Sequence, residues 1–518
     1  MEKEVGERIK TLRELKSKAY LAGGKEKIAK LHNKGKLTAR ERIERLVDPG
    51  SFVELNLLVG HELDAPTDGI IAGYGTIDGR HVCLYSQDST VLGGSIGPIH
   101  GFKLYCTVER ALEMQVPFIG LLDSPGARTE RLGEIRWRVG DKQGGSVFFP
   151  NTQASGVIPQ ISVVLGSCAG ISVYSPALTD FIFMVDGISH MFITGPQMVK
   201  SVMGEDISME ELGGAAIHCK VSGVADFRMK TEDECFHEVK RLLSFLPSNN
   251  CQSPPLVDAG DDPDRLDNSI ADFVPINPNK AFDMYKVIAR LVDNEDFMEV
   301  KREFAPEIIV GFGRLGGQTV GVVANQPMVR AGSLTVDSSD KQARFIRFCD
   351  AFNIPIVLLV DTPAYMPGSH QERAGIIRHG AKVLYALCEA TVPRCAVVLR
   401  KVYGGGQLGM GTLPGMQTDF VFYWPIAETG VLGAEQSVEL FYSNEIKSAP
   451  DPAKTKEEKV KEYREKYASP FTTASQDPFI TDIIEPGETR RCLIKAFKLM
   501  QGKKKVNKYP KKHGNIPL

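Results

Sequence analysis

The sequence predicts an α/β protein made of two copies of one domain, each built on a mainly parallel sheet. Two observations carry this. Four sequence blocks recur in the same order between residues 68–200 and 306–436. Within each copy, continuous apolar runs of strand length alternate with helical stretches, the pattern of a sheet covered on both faces.

The repeats are explicit. Gly73-Tyr-Gly-Thr-Ile-Asp-Gly-Arg-His-Val82 answers Gly311-Phe-Gly-Arg-Leu-Gly-Gly-Gln-Thr-Val320 at an offset of 238. Val116-Pro-Phe-Ile-Gly-Leu-Leu-Asp-Ser-Pro125 answers Ile354-Pro-Ile-Val-Leu-Leu-Val-Asp-Thr-Pro363 at the same offset. Ile158-Pro-Gln-Ile-Ser-Val-Val-Leu165 answers Val392-Pro-Arg-Cys-Ala-Val-Val-Leu399 at 234, and Thr179-Asp-Phe-Ile-Phe183 answers Thr418-Asp-Phe-Val-Phe422 at 239. Each copy is far longer than a solenoid unit, so each can bury its own core. Two similar pockets follow, suited to two substrates that must meet.

Taken in order, residues 1–46 are rich in Lys, Glu and Leu at helical spacing and break at Gly23-Gly24, an N-terminal helical arm. Residues 47–250 form the first domain, 251–265 a linker rich in Pro and Asp, and 266–518 the second domain with a helical C-terminal extension. Each copy opens with a β-hairpin (70–84; 308–322). A helix follows (103–114; 341–352), then an apolar strand (118–122; 356–360). A second helix–strand unit (161–165; 396–399) ends in a glycine turn. Ligands of such folds collect at the carboxyl ends of strands, where these turns lie. Residues 447–467 read as an exposed helix, and the lysine-rich 501–518 as a solvated tail packed at an interface rather than a nucleic-acid arm.

Bulk composition is ordinary for a globular chain: of 518 residues, 42% are apolar and 24% charged. A net charge of −2 gives no general affinity for nucleic acid. No apolar run approaches the ~20 residues of a membrane span. The start, Met1-Glu-Lys-Glu-Val-Gly-Glu7, mixes acid and base, unlike a transit peptide or secretory signal. The ten cysteines include no Cys-x-x-Cys pair. Most, such as Cys83, Cys106, Cys349 and Cys395, sit in apolar stretches and read as buried thiols of a reducing, cytoplasmic compartment. No metal site is expected.

Gly311-Phe-Gly-Arg-Leu-Gly316 fits a dinucleotide fingerprint, but strand rather than helix follows it, so these glycines belong to a hairpin turn. The turns Gly166-Ser-Cys-Ala-Gly-Ile-Ser-Val-Tyr-Ser-Pro176 and Arg400-Lys-Val-Tyr-Gly-Gly-Gly-Gln-Leu-Gly-Met410 carry more weight. A glycine turn opening from a strand into a helix can point two backbone N–H groups into one cavity, an oxyanion device that needs no metal. Close helix-on-strand packing is the other reading. Asp123 and Asp361 end matched strands, as turn pins or as a general base. Arg128 suits a phosphate or carboxylate, and His379 is a possible acid/base or a structural helix residue.

Residues 36–518 resemble the carboxyltransferase (β) subunit of biotin-dependent acyl-CoA carboxylases, propionyl-CoA carboxylase type. The carboxyltransferase subunits of methylmalonyl-CoA decarboxylase and transcarboxylase are close behind. The carriers are Lys36-Leu-Thr-Ala-Arg-Glu-Arg-Ile43, Asp48-Pro-Gly-Ser-Phe-Val-Glu54, Ser155-Gly-Val-Ile-Pro-Gln-Ile-Ser162, Tyr174-Ser-Pro-Ala-Leu-Thr-Asp-Phe181, Val323-Ala-Asn-Gln-Pro-Met328, Arg347-Phe-Cys-Asp-Ala-Phe-Asn-Ile-Pro355, Ile377-Arg-His-Gly-Ala-Lys382 and His513-Gly-Asn-Ile-Pro-Leu518.

The resemblance implies two crotonase-like ββα superhelical domains, acyl-CoA on the first and biotin on the second, in a hexamer built as a trimer of dimers. It places the amides of Gly170 and Ile171 on the thioester oxygen and those of Gly405 and Gly406 on the carboxybiotin carbonyl. Gly126, Ala127 and Arg128 would bind coenzyme A. Ala364, Tyr365, Gln407 and Leu408 would line the biotin and acyl pocket. The reaction it implies moves a carboxyl group from carboxybiotin to the α-carbon of an acyl-CoA, with the enolate and the biotin anion each held by an amide pair and no protein base.

The chain departs where a Gly-Gly is usual at Gly170-Ile171, and Ile171 is expected to crowd the acyl end. It departs again at Gln407-Leu408, and at Asp361-Thr-Pro-Ala-Tyr365. It carries no biotinyl-lysine motif and no ATP-binding loop. It would therefore work with a biotin carboxyl carrier protein and a biotin carboxylase. The same site run in reverse, as a decarboxylase beside a membrane sodium pump, and a non-catalytic scaffold are the other readings.

Overall fold

The computed structural model describes residues 2–61, 65–128, 142, 144–503 and 511–517. The chain divides into two compact units, Met1–Gln252 and Ser253–Leu518. The sheet of each opens with antiparallel strands and continues parallel, crossed by helices, the expected tandem of crotonase-like domains.

In the first unit the main sheet runs β1-β2-β3-β4-β5-β7-β9 among the described residues. Its strands are β1 (Val53–Leu55), β2 (Ile70–Ile77), β3 (Arg80–Gln87), β4 (Phe118–Leu122), β5 (Gln160–Val164), β7 (Phe181–Val185) and β9 (Phe227–Met229). A side ribbon pairs β6 (Ser167–Ala169) with β8 (His190–Phe192). The β2–β3 turn is Asp78-Gly79, with φ of +48° and +75°. Positive φ at both central residues is the turn whose twist matches a hairpin. Every residue of β4 and β5 is buried, as parallel strands covered on both faces must be. The helix Pro98–Met114 crosses from β3 to β4. It starts five residues before the apolar run suggests, because Pro98 presets the first turn.

The segment expected as an arm folds as Glu2–Tyr20, Lys25–His32 and Ala39–Leu46. It falls within the first unit. The last helix opens with a capping box between Thr38 and Glu41 and buries Arg42, Ile43 and Leu46.

The second unit repeats the plan. Its sheet runs β10-β11-β12-β13-β14-β15-β17, with β16 on the far end of β14. The strands are β10 (Met298–Val300), β11 (Ile308–Leu315), β12 (Gln318–Asn325), β13 (Ile356–Thr362), β14 (Arg394–Tyr403), β15 (Phe420–Tyr423), β16 (Glu428–Gly430) and β17 (Asp482–Ile483). Gly316 and Gly317 make the hairpin turn at φ of +58° and +80°, and the Asp293 carboxylate accepts both amides. The glycines of the fingerprint-like run thus serve a hairpin. Trp424 sits fully buried in the core and donates from its indole to Thr489. β14 is longer than its apolar stretch because Arg400 and Lys401 remain buried in strand against Asp361.

Several expectations need correction. Residues 253 onward belong to the second unit, and Leu256 bridges Gln318. Residues 447–467 are not one exposed helix. Ser443–Ser448, Pro452–Tyr463 and Arg464–Ala468 follow one another, and Val460 packs with Ala434 and Val438. Cys106 is half-buried, while Cys251 and Cys388 are exposed, and no disulfide joins any of the ten. Of the lysine-rich end, 504–510 and 518 lie outside the described residues. Lys503 pairs with Asp419 at 2.7 Å and Lys511 with Glu389 at 3.0 Å. Among the described residues no helix is long and apolar enough to cross a membrane.

Candidate active site

In the first unit the glycine turn leaves β5 and becomes a short helix. β6 ends at Ala169, and Gly170 turns at φ +58° into the single helical turn Gly170–Val173. The left-handed slot falls on Gly170, so Ile171, stiff at χ1 and averse to positive φ, is tolerated beside it. The Gly170 amide donates to Ile193 O at 3.1 Å. It is therefore committed to the fold, which corrects its expected role as a donor to substrate. Ile171, near the start of the turn, has no acceptor for its N–H within the helix.

A second amide faces the same place. Ile96 and Ala127 form a parallel bridge. Ile96 N–H donates to Gly126 O at 2.8 Å, and Arg128 N–H to Ile96 O at 3.0 Å. Bonds on both flanks leave the Ala127 N–H directed away from Ile96. On that side runs the glycine turn: a Cβ placed on Gly126 would lie 3.9 Å from Ile171 N. Gly126 itself sits at φ +103°. Arg128 differs from expectation. Its guanidinium donates to Asp68 Oδ1 at 2.7 Å and to Ser95 O at 2.8 Å, so its charge is already balanced inside the protein. The Ile171 side chain does not stand free in a pocket. It packs against the first unit's core, with Cδ1 3.5 Å from where a Gly145 Cβ would sit.

Asp123 braces this end of the sheet. It accepts from Lys36 Nζ at 2.7 Å, Ser89 Oγ at 3.1 Å and Arg42 at 3.3 Å. Arg42, about 1% exposed, also donates twice to Glu232 at 2.9 Å and to Leu165 O at 2.8 Å. A Cβ on Gly166 would collide with the Asp123 carboxylate. Only glycine lets the strand end approach so closely.

The second unit carries the same device. Gly404 takes φ +48° and ψ −126°, and its amide donates to Gly430 O at 2.9 Å. The helix Gly405–Gly409 then begins, so the Gly405 and Gly406 amides have no acceptor within it. In position Gly404 matches Gly170, and Gly405 matches Ile171. Leu334 bridges Tyr365 as Ile96 bridges Ala127, with bonds of 3.0 Å to Ala364 O and 2.7 Å from Met366 N. The Tyr365 ring is wedged among Gly380, Gly405 and Gly409. Its hydroxyl is buried without a partner, and burial pushes its pKa up. Gln407 Nε2 donates to Gly430 O at 2.8 Å, fixing the turn from within, and Leu408 is half-buried on the same helix.

Asp361 repeats the part of Asp123. Arg400 grips it with Nε at 3.1 Å and Nη2 at 2.8 Å, and Lys401 N–H donates to it at 3.1 Å. These aspartates are turn pins. His379 is held by Asp340 at 2.9 Å beside Lys382, so it serves a surface network. Among the described residues no cluster of His, Cys, Asp and Glu could hold a metal ion.

A cavity of about 360 Å³ opens beside the second turn, lined in part by Ala364, Tyr403 and Val431. Its wall is mixed, with Pro278, Pro363 and Leu432 beside Lys280, Arg400, Lys401 and Glu435. Sequence reading missed the bridge amides and the Arg42 brace, because parallel register and an ion pair across long sequence separation leave no local motif.

Residues 30–516 match the carboxyl transferase domain family. Over 99% of each chain the sequence is 46% identical to the propionyl-CoA carboxylase carboxyltransferase subunit of Haloferax mediterranei. It is 47% identical to methylmalonyl-CoA decarboxylase subunit alpha of Veillonella parvula, again over 99% of each. The structure matches a transcarboxylase 12S hexamer solved with methylmalonyl-coenzyme A and methylmalonic acid bound. The TM-score is 0.92 at 43% identity, over 99% of this chain and 98% of that one.

Proposed function

This chain belongs to the carboxyl transferase family, and on that premise we propose that it moves a carboxyl group from carboxylated biotin to the α-carbon of a short acyl-CoA, propionyl-CoA-like. The observation that carries the reading is the pair of amide-bearing turns, one in each unit. Biotin, arriving on a separate carrier protein loaded by a biotin carboxylase, supplies the carboxyl group. In the first unit, the Ile171 and Ala127 amides hold the thioester oxygen as negative charge moves onto it. In the second, the Gly405 and Gly406 amides, with Tyr365 N–H across from them, hold the ring carbonyl. Donors aimed at developing charge each contribute about 10²–10³ in rate. No side chain is needed as a general base.

The site requires more than one copy. Ile193, Met198, Val202 and Met203 are exposed just after β8. Val431, Leu432, Leu440 and Phe441 are exposed just after β16, the equivalent place in the second unit. Matched apolar faces beside both turns support a homo-oligomer, a hexamer as in the transcarboxylase relative, with acyl-CoA and biotin meeting between protomers.

The test is transfer of a labelled carboxyl group from a carboxylated carrier to acetyl-, propionyl- and butyryl-CoA. Label in at least one product is expected, and none in any would sink the reading. Light scattering on the same samples checks assembly: turnover that persists in a fully monomeric fraction would count against a shared site. The reverse reaction, a decarboxylase subunit, is favoured by the equally close decarboxylase relative. Catalysis serves both directions, so the partner subunits decide between them.

A further inference from the structure

The cavity beside Gly404 has a charge pattern that an uncharged urea ring does not require. Lys401, 6% exposed overall, borders it and spends one donor on Pro278 O at 3.1 Å. Asp361 lies 3.9 Å from the ammonium but is already gripped by Arg400. Lys280 lines the same cavity from an exposed position. Arg400 also borders it but is spent: besides Asp361 it donates to the carbonyls of Pro275, Asn277 and Lys280 at 2.6–3.3 Å. Those bonds hold the 275–280 segment, and with it Lys280, over the cavity.

The acidic groups nearby are matched elsewhere. Glu435, which itself lines the cavity, is neutralised by Arg464 at 2.6 Å. Glu428 pairs with Arg464 at 3.0 Å and accepts from Tyr403 at 2.8 Å. The helix Ala434–Phe441 also opens onto the cavity. Its N-cap is Gly433, which lines the wall and offers no side-chain cap. Its first amides therefore add positive potential. Ala364 links the cavity to the turn: it lines the cavity, and a Cβ on Gly406 would lie 3.5 Å from Ala364 Cα.

We propose that Lys401, Lys280 and the start of the Ala434–Phe441 helix form a carboxylate seat that receives the negative end of an N-carboxylated cyclic urea held by the Gly405 and Gly406 amides. The seat rests on the biotin reading above. A buried ammonium over the carboxylate favours the N-carboxylate before transfer, and the seat empties as the carboxyl carbon leaves as CO2. The nitrogen keeps the electron pair of the broken N–C bond, with the ring oxygen on the amides.

The test uses the full chain and two stable probes: biotin bearing a carboxymethyl group on the ureido nitrogen, and its uncharged carboxamide twin. Calorimetry is expected to show the wild type binding the acid at least tenfold more tightly than the amide. Lys401→Met should erase that preference, leaving amide and acyl-CoA binding within threefold. Lys280→Met, at an exposed position that cannot unfold the protein, should lower the preference about threefold and steepen nothing else. Equal binding of both probes by the wild type, or a preference that survives both substitutions, overturns the seat and leaves the biotin reading standing. If the wild type binds acyl-CoA but neither probe, the biotin reading itself falls, and the seat with it.

Discussion

Arg42 shows what a single buried residue settles here. It holds Glu232, Asp123 and the Leu165 carbonyl at once. Removing one member of such a cluster strands a charge away from water. Arg42→Met should lower stability by about 3–5 kcal/mol, measured by urea unfolding, and a loss under ~1 kcal/mol would mean the cluster is better hydrated than its burial suggests. Ile171 is the other telling residue. Its side chain is partly buried and packs against the first unit's core. Ile171→Gly should therefore cost roughly 1–3 kcal/mol, the lower part of the range for aliphatic truncations because the side chain is only partly buried. The ratio of kcat/KM for acetyl-, propionyl- and butyryl-CoA should shift less than threefold. A tenfold shift would return Ile171 to the role of a pocket wall. His100 marks the pH dependence. Burial, aided by Arg128 and Lys103, pulls its imidazole down to about 3. Its folded value lies below its unfolded one, so the unfolded chain takes up protons first between about pH 6.5 and 3. Stability is fully present above that window and is lost as pH falls through it. The melting temperature should drop between pH 6.5 and 4.5, and His100→Gln should flatten that slope.

At the scale of elements, the two glycine turns are alike in plan and unlike in tolerance. Gly404 sits at φ +48°, ψ −126°, and a Cβ there would lie 2.9 Å from Val431 O. Gly170 has a φ of +58°, and only Ile193 O, at 3.9 Å, lies near such a Cβ. Gly404→Ala should cut carboxyl transfer by roughly 10²–10³, the value of misaimed oxyanion donors, with acyl-CoA binding kept. Gly170→Ala should cost about 1 kcal/mol of stability and little rate. Equal losses of rate in both variants would show that the first turn is as constrained as the second. The strands, hairpins and turns were legible in the sequence because buried parallel strands are unbroken apolar runs and Asp78-Gly79 has one good conformation. The donor register was not. Gly170-Ile171 reads as a pair of amides, yet a bond to Ile193 O decides which of the two is free. The Val460 face was hidden as well, since its partners Ala434 and Val438 lie in another element.

At the scale of the whole molecule, the duplication was plain from four matched blocks, but the ways in which the copies are secured were not. Asp361 is gripped from the neighbouring strand, 39 residues away. Asp123 is gripped by the N-terminal segment, which is itself anchored to Glu232, 190 residues from Arg42. That difference sets an order of events during synthesis. At 5–20 residues per second, Glu232 leaves the ribosome roughly 10–40 s after Arg42, whereas the Asp361–Arg400 pair can close within seconds. The first half of the chain thus waits, partly made, with its earliest segment unanchored, while the second half can lock almost as it emerges. Chains stalled before residue 232 should be cut by protease within the Ala39–Leu46 segment, and chains stalled some 40 residues past Glu232, beyond the exit tunnel, should resist. Equal protection at both lengths would show that the clasp is not what completes the first unit.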